Sequence, residues 1–313
     1  MANNSRMYYV HCMSPVHVGA GQGIGIIDMP MIREKVTEWP YLPGSSVKGV
    51  HREFFRSGIH KQSEKWLDIA FGKPSKKKDP KDEFNQEPDD GNAGALVMSD
   101  AKILAFPVAS RYGTFAYVTC PLVLKRFARD TVATGVTMLP LDWAALEKVV
   151  ESEAAIVYPN SKLENSQGGK RQVYIDEFNS DAAENESFTI WTDWLTGQVF
   201  GSDTLSATML KERVLLVSDE AFQYFITMCS EIVPRIRIDQ DTGSVESGAL
   251  WNEEYLPAES LLYGVIWSDG IPAHAVEKRE LLVELPDEAF LQIGGNATVG
   301  KGRIRCRYVK GDA

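Results

Sequence analysis

Residues 14–56 read SPVHVGAGQGIGIIDMPMIREKVTEWPYLPGSSVKGVHREFFR: a glycine-rich loop, one isolated aspartate, then a helix that carries cations. Ser45 behind Pro43-Gly44 is a natural N-cap and Gly58 a natural stop, which predicts a helix over residues 46–57. Val47, Val50 and Phe54 fall at i, i+3 and i+7 and belong against a core, while Lys48, Arg52 and Arg56 recur every four residues along a flanking stripe. Free backbone N–H groups at Ser45 and Ser46, the positive end of the helix dipole and that stripe together suit a polyanion, read here as a phosphate backbone. His51 lies beside Lys48 and Arg52 and reads as a further contact to that backbone. In the first half, Gly19, Gly21, Gly23 and Gly25 alternate, so the backbone can approach a ligand without side chains in the way. This is no dinucleotide fingerprint, because both registers of G-x-G-x-x-G fail, at Ile24 and at Ile26. Asp28 is the sole acid between Met1 and Ile32. Ahead of Met29-Pro30 such a carboxylate is either a turn-former or a ligand for a metal or a ribose, and composition leaves both open.

Working outward, the chain has 313 residues and a formal charge of −10, which taken alone argues against nucleic acid. The distribution of charge argues the other way. Gln172 to Leu210 holds seven acids and no Lys or Arg, whereas residues 301 to 310 hold five cations and no acid, implying one anion-binding face and another left for protein or water. Cys12, Cys120, Cys229 and Cys306 are far apart with no zinc-like spacing, so reduced thiols are expected. The N-terminus lacks a signal-peptide core and no run of eighteen apolar residues occurs, so the reading is a cytoplasmic protein with no membrane segment.

Met7 to Met13 reads as a central first strand delivering the glycine loop, and Lys61 to Phe71 as a second helix. Residues 73–94 are Pro-, Lys- and Asp-rich and read as a loop, with Lys76, Lys77 and Lys78 a solvated run. Residues 114–124 read as a strand, Trp143 to Glu153 as a helix, and Asp219 to Ile232 as a helix capped at Ser218 or Asp219. Trp191 and Trp194, three apart, mark a packing face. From Pro234 the alternation Arg235, Arg237, Asp239 against Ile236, Ile238, with Thr242-Gly243 as turn and 249–256 as return strand, predicts a protruding hairpin with one cationic edge. Glu253 and Tyr255 share a face of the return strand, either as an exposed pair or as groups near a reacting phosphate. At the C-terminal end Gly295 to Lys301 fits seven positions of a P-loop, but Gly302 stands where a Ser or Thr is needed and eleven residues are too few for a nucleotide-binding sheet. The better reading is a glycine turn feeding a strand whose Arg303, Arg305 and Arg307 line one face, tracking phosphates or solvated at a sheet edge.

Taken in order, SPVHVGAG, GIIDMP, YLPGSSVKG, ALVMSDAKILAFPV, NEEYLP and LQIGGNATVGKGR resemble the RAMP-superfamily backbone subunit of the type III-B (Cmr) CRISPR effector, an RNA-guided RNA-cleaving assembly. PGSSVKG and the C-terminal glycine loop mark the superfamily; the ordered combination, spread over residues 14–303, marks the subunit. The resemblance implies an α+β chain: a single RAMP domain, 1–313, with an RRM/ferredoxin-like palm, helical fingers inserted at 46–94 and a β-hairpin thumb at 234–256. It also implies copies stacked helically along a guide crRNA beside other CRISPR effector subunits, cutting a complementary target RNA. Asp28 is the position that matches the family's cleaving aspartate and would hold a divalent metal, read as magnesium; His17, Glu253 and Tyr255 match neighbouring supportive positions, and Lys48 a guide-contacting lysine. Gly19, Gly21, Ser45, Ser46, His51, Arg52, Arg235, Arg237, Gly294, Gly295, Gly300, Lys301 and Arg303 complete the expected RNA surface. Two alternatives remain open: a guide-binding scaffold that cuts nothing, and a metal-independent guide-processing RAMP nuclease using His17 or His51 as general acid or base.

Overall fold

The computed structural model describes residues 4–21, 23, 27–73, 91–167, 169–268 and 278–311. Gly25, His274 and most of the 73–94 loop, Lys76 to Lys78 included, lie outside the described residues.

The first strand, Ser5–Cys12, is buried along its whole length because it is central. It pairs antiparallel with Leu261–Ser268 on one side and with the last strand, Arg303–Lys310, on the other. From there a thirteen-stranded sheet runs outward through Ala101–Ala109, Phe115–Thr119 and Val214–Leu216 to Ala155–Val157 and the strands between Glu164 and Glu184. The pairing is mixed, since Val214–Leu216 lies parallel to Phe115–Thr119. Helices cover both faces, and strand parity assigns them. Tyr308 turns to the first helix, where its hydroxyl meets His51, whereas Tyr9 and Tyr263 turn to Phe127 of the helix Pro121–Thr134 (ring centroids 6.2 and 4.9 Å). The helix Glu186–Phe200 extends that second layer, with Trp191 buried against Phe127 and Phe188, so the tryptophan spacing does mark a packing face. Helices and a large central sheet make up the expected mixture of α and β, and no helix among the described residues is long and apolar enough to cross a membrane.

Several local expectations change. The first helix spans Gly44–Arg56 and no side chain of its own caps it. Instead Asp100 reaches across to accept from Gly44 N at 2.7 Å, so a carboxylate already sits on the helix N-terminus. Gly44 is required there because a Cβ would stand 2.4 Å from Met98 O. The buried face is Val47, His51 and Phe55, one step round from the expected apolar triplet. The strand read over 114–124 ends at Thr119, and Pro121 opens a helix as its first residue, where the missing N–H costs nothing. Ser218 caps the helix Asp219–Met228 through Ala221 N, but residues 231–238 belong to the hairpin, which pairs Glu231–Ile238 with Val245–Tyr255 apart from the main sheet.

Candidate nucleic-acid interface

The glycine-rich loop folds back on itself: Ala20 N donates to Pro30 O at 3.0 Å and Ile32 N to Val18 O at 2.9 Å, placing Asp28 on the returning limb. That limb runs along the base of the hairpin. Met29 N donates to Asn252 O and Glu254 N to Met29 O, both at 3.0 Å, while the exposed Asp28 carboxylate accepts from Asn252 N through Oδ2 at 2.7 Å. Its Oδ1 has no partner among the described residues.

The second glycine loop packs beneath the first. Gly295 N donates to His17 O at 2.9 Å and Gly302 N to Pro15 O at 2.8 Å. It joins the antiparallel strands Glu288–Gln292 and Arg303–Lys310 through one 3₁₀ turn, Ala297–Val299, so it feeds a strand and not the helix a P-loop requires. Where the loops meet, His17 is buried, with Nδ1 bonded to Glu254 O at 2.7 Å and its ring against Tyr255.

Glu253 and Tyr255 are not an exposed pair: they are 4 % and 0 % exposed. Glu253 accepts from Tyr255 Oη, from Trp251 Nε1 at 2.9 Å, from Arg235 Nε at 3.1 Å and from Asn296 Nδ2 at 2.9 Å. Burial pushes this carboxyl up, but the donors from Tyr255, Trp251 and Arg235 outweigh it and hold the group below the usual carboxylate range. Burial and the neighbouring Glu253 push the Tyr255 phenol the other way. Lys301 covers the Tyr255 ring at 4.7 Å and pairs with Glu231 at 3.2 Å. This network ties the hairpin base to the C-terminal loop.

The expected cations divide into engaged and available groups. Arg235 is turned onto Glu253 and Tyr255, Arg237 lies 3.5 Å from Glu246, and Arg52 donates to Gly72 O and to Asp68 at 3.2 Å. Lys48, half-buried, has no ion pair among the described residues, and burial followed by the charge of Arg52 lowers its pKa. Arg303 is exposed at the mouth of the C-terminal loop, and Ser45 is exposed with Ser46 half-buried beside it. Gly19, Gly21 and Gly300 are exposed along the two loops, with Gly294 and Gly295 at their contact. His51 corrects the sequence reading. It is 1 % exposed, its nitrogens are taken by Val47 O and the Tyr308 hydroxyl, and burial pushes its pKa down to about 4, so it is a packed residue of the interior and not part of the exposed surface. Arg305 and Arg307 also differ from both readings of the arginine strand. Arg305 pairs with Asp203 at 2.7 Å and with Glu288, and Arg307 donates to Gln198 O, so part of the acidic tract neutralises the basic strand instead of facing away from it.

Sequence reasoning missed Asn296, which takes the left-handed conformation (φ 61°) and donates to both Glu253 and Tyr255. Asn directly after Gly-Gly was the available signal, since Asn tolerates that region. It also passed over Glu254 and Arg33, whose pairing has no local signature because 221 residues separate them.

Among the described residues no three His, Cys, Asp or Glu side chains converge to hold a metal ion. Among the described residues Asp28 keeps one carboxylate oxygen without a partner, a donor set that would suit a largely hydrated divalent cation and does not make a protein cage.

The chain belongs to the RAMP superfamily, whose family model matches residues 9–305. Within it, this is a backbone subunit of the type III-B (Cmr) kind. It is 33% identical over 306 residues to the CRISPR system Cmr endoribonuclease Cmr4 of Pyrococcus furiosus, covering 95% of this chain and 92% of that one. A CRISPR system CMR subunit Cmr4 of Saccharolobus solfataricus is 22% identical over 96% of each chain. Among solved structures, oligomeric Cmr4 from Pyrococcus furiosus superposes with a TM-score of 0.71 at 25% identity over 98% of both chains. Type III-B Cmr-beta bound to cognate target RNA shares the fold at 19% identity (TM-score 0.66), covering 98% of this chain and 97% of that one.

Proposed function

We propose that this chain binds a guide crRNA and cleaves the complementary target RNA as one of several stacked copies in a cytoplasmic effector with other CRISPR subunits. One observation carries the reading: an exposed carboxylate, Asp28, held by one oxygen on the base of a protruding hairpin and flanked by two touching glycine loops. The name of the Pyrococcus furiosus relative, an endoribonuclease, agrees with it, as does target RNA in the Cmr-beta assembly.

RNA brings its own nucleophile. When the hairpin splays one nucleotide out of the guide–target duplex, its 2′-oxygen can align with the adjacent phosphorus and the P–O5′ bond. The 2′-hydroxyl gives up its proton, the 5′-oxygen gains one, and the products are a 2′,3′-cyclic phosphate and a 5′-hydroxyl. Asp28 is the residue that would hold a magnesium ion, which when bound supplies positive charge for the developing phosphorane and leaving oxygen. Lys48 and Arg303 contact phosphates, and base pairing reads the sequence. Glu253, saturated by its donors, holds the hairpin base instead of moving a proton. The histidine-nuclease alternative loses His51 to burial, and His17 has one nitrogen committed to Glu254 O.

The reconstituted complex, given labelled complementary RNA, should yield regularly spaced products ending in cyclic phosphates, which stop forming on chelation. Asp28→Ala at equal target binding should leave the target intact. Equal cutting by that variant excludes Asp28 as the cleaving residue, and no cutting by either form leaves the scaffold reading.

A further inference from the structure

We propose that Glu254 is the positioning residue that fixes Asp28 to the hairpin, so that the cleaving carboxylate and the element that splays the target move as one body. This inference rests on the cleavage reading above. Glu254 is 3 % exposed, and its carboxylate gathers donors from three directions. Oε2 accepts from Met31 N at 2.9 Å, on the limb just past Asp28. Oε1 accepts from Arg33 Nη2 and from Ser230 Oγ at 2.8 Å, where the helix Asp219–Met228 passes into the hairpin. Arg33 is itself fixed, donating to Glu38 O at 2.7 Å and to Ile226 O at 3.2 Å. The main chain of Glu254 adds N–H to Met29 O and, through its carbonyl, the bond to His17.

Residues 28–31 therefore follow the path of 252–254 bond by bond. Arg33, Met31 N–H and Ser230 hold the buried Glu254 carboxyl below the usual carboxylate range, Arg33 first, against burial, which alone would raise it. An ionised carboxylate can accept from all three donors together. A glutamine cannot, because its amide nitrogen must take the place either of Oε1, facing Arg33, or of Oε2, facing the Met31 N–H, and both of these are donors only. The limb would then keep its two Met29 bonds and the Asn252 contact but lose the anchor on its far side, and Asp28 Oδ1 would lose its fixed distance from the hairpin. Nothing in this arrangement touches the phosphate-contacting surface, so rate and position should change while affinity does not.

The experiment uses the reconstituted complex with labelled target, measuring single-turnover cleavage at saturation, target affinity, and product ends at nucleotide resolution for wild type, Asp28→Ala, Glu254→Gln and Arg33→Lys. Glu254→Gln should cut about 10- to 100-fold more slowly, the range expected when a reacting group is misplaced by about 1 Å. Its target affinity should stay within about twofold and its cut sites spread to neighbouring phosphates, which simple loss of stability does not cause. Arg33→Lys, which cannot reach Glu254, Glu38 O and Ile226 O together, should show the same pattern more mildly; it decides the matter if Glu254→Gln does not fold. Wild-type rate and cut sites in Glu254→Gln, or in Arg33→Lys where that stands in, with Asp28→Ala inactive, overturn the positioning role. Wild-type cutting by Asp28→Ala overturns instead the cleavage reading beneath it.

Discussion

His51 shows how one residue's environment reverses what its neighbours in sequence imply. It stands between Lys48 and Arg52 on a helix that carries cations, yet it points into the sheet, where Val47 O and the Tyr308 hydroxyl occupy both nitrogens. Burial lowers its pKa to about 4, with the Val47 carbonyl bond pulling weakly the other way. An unfolded histidine titrates near 6.5, so between that pH and about 4 the unfolded chain binds a proton that the folded chain refuses. Stability therefore falls as pH falls through this window, by about 3 kcal/mol in all from this one group at 1.36 kcal/mol per unit. His51→Gln removes that proton uptake. Urea melts at pH 7.5, 6 and 5 should show the wild type losing stability relative to the variant as the pH drops, and parallel losses would contradict the buried neutral histidine.

At the scale of elements, the glycine loops show what spacing can and cannot reveal. Gly294 and Gly295 are indistinguishable in sequence but not in the fold. Gly294 has φ +78° and a Cβ there would stand 2.1 Å from His17 O, whereas a Cβ on Gly295 meets nothing nearer than 3.8 Å. Gly294→Ala should cost about 3 kcal/mol, from the left-handed backbone and a clash with main chain that cannot yield, and Gly295→Ala less than about 0.5 kcal/mol. Chemical denaturation of the two variants measures the difference, and similar midpoints would mean the loops are not packed as described. The first strand, the first helix, the hairpin and the glycine turn into the last strand were legible because each carries local chemistry: alternation, a helical stripe, a turn pair. What stayed hidden depends on distant partners. Ser45 looked like a cap because the true one, Asp100, arrives from another turn, and Arg305 looked available because Asp203 comes from 102 residues away and Glu288 from the neighbouring strand. Glu253 was read without Glu254 for the same reason, although the strand's period of two already sends them to opposite faces.

For the whole molecule, the hairpin has two unlike faces: both are held at the base, by the Glu253 network and by Glu254, but toward the tip one of them is left open among the described residues. Register places Glu231 opposite Tyr255, Val233 opposite Glu253 and Arg235 opposite Trp251, the face closed by the C-terminal loop. The other face pairs Ile236 with Leu250 and Ile238 with Val245, and these four are 50 %, 66 %, 54 % and 52 % exposed. A two-stranded sheet is marginal in water on its own, and an apolar strip of this kind calls for cover. Stacked copies, which the proposed function requires, would supply it: with the hairpin of one copy laid on the next, its link to Asp28 would set each cut at one fixed offset per subunit. Ile236→Asp with Leu250→Asp puts two opposed charges of like sign on that strip without touching the core. Sedimentation of the purified protein should shift from assemblies toward monomers by the double variant, with the melting temperature held within about 3 °C, since these side chains lose little native burial. An unchanged distribution of assemblies would show that the copies meet through some other surface.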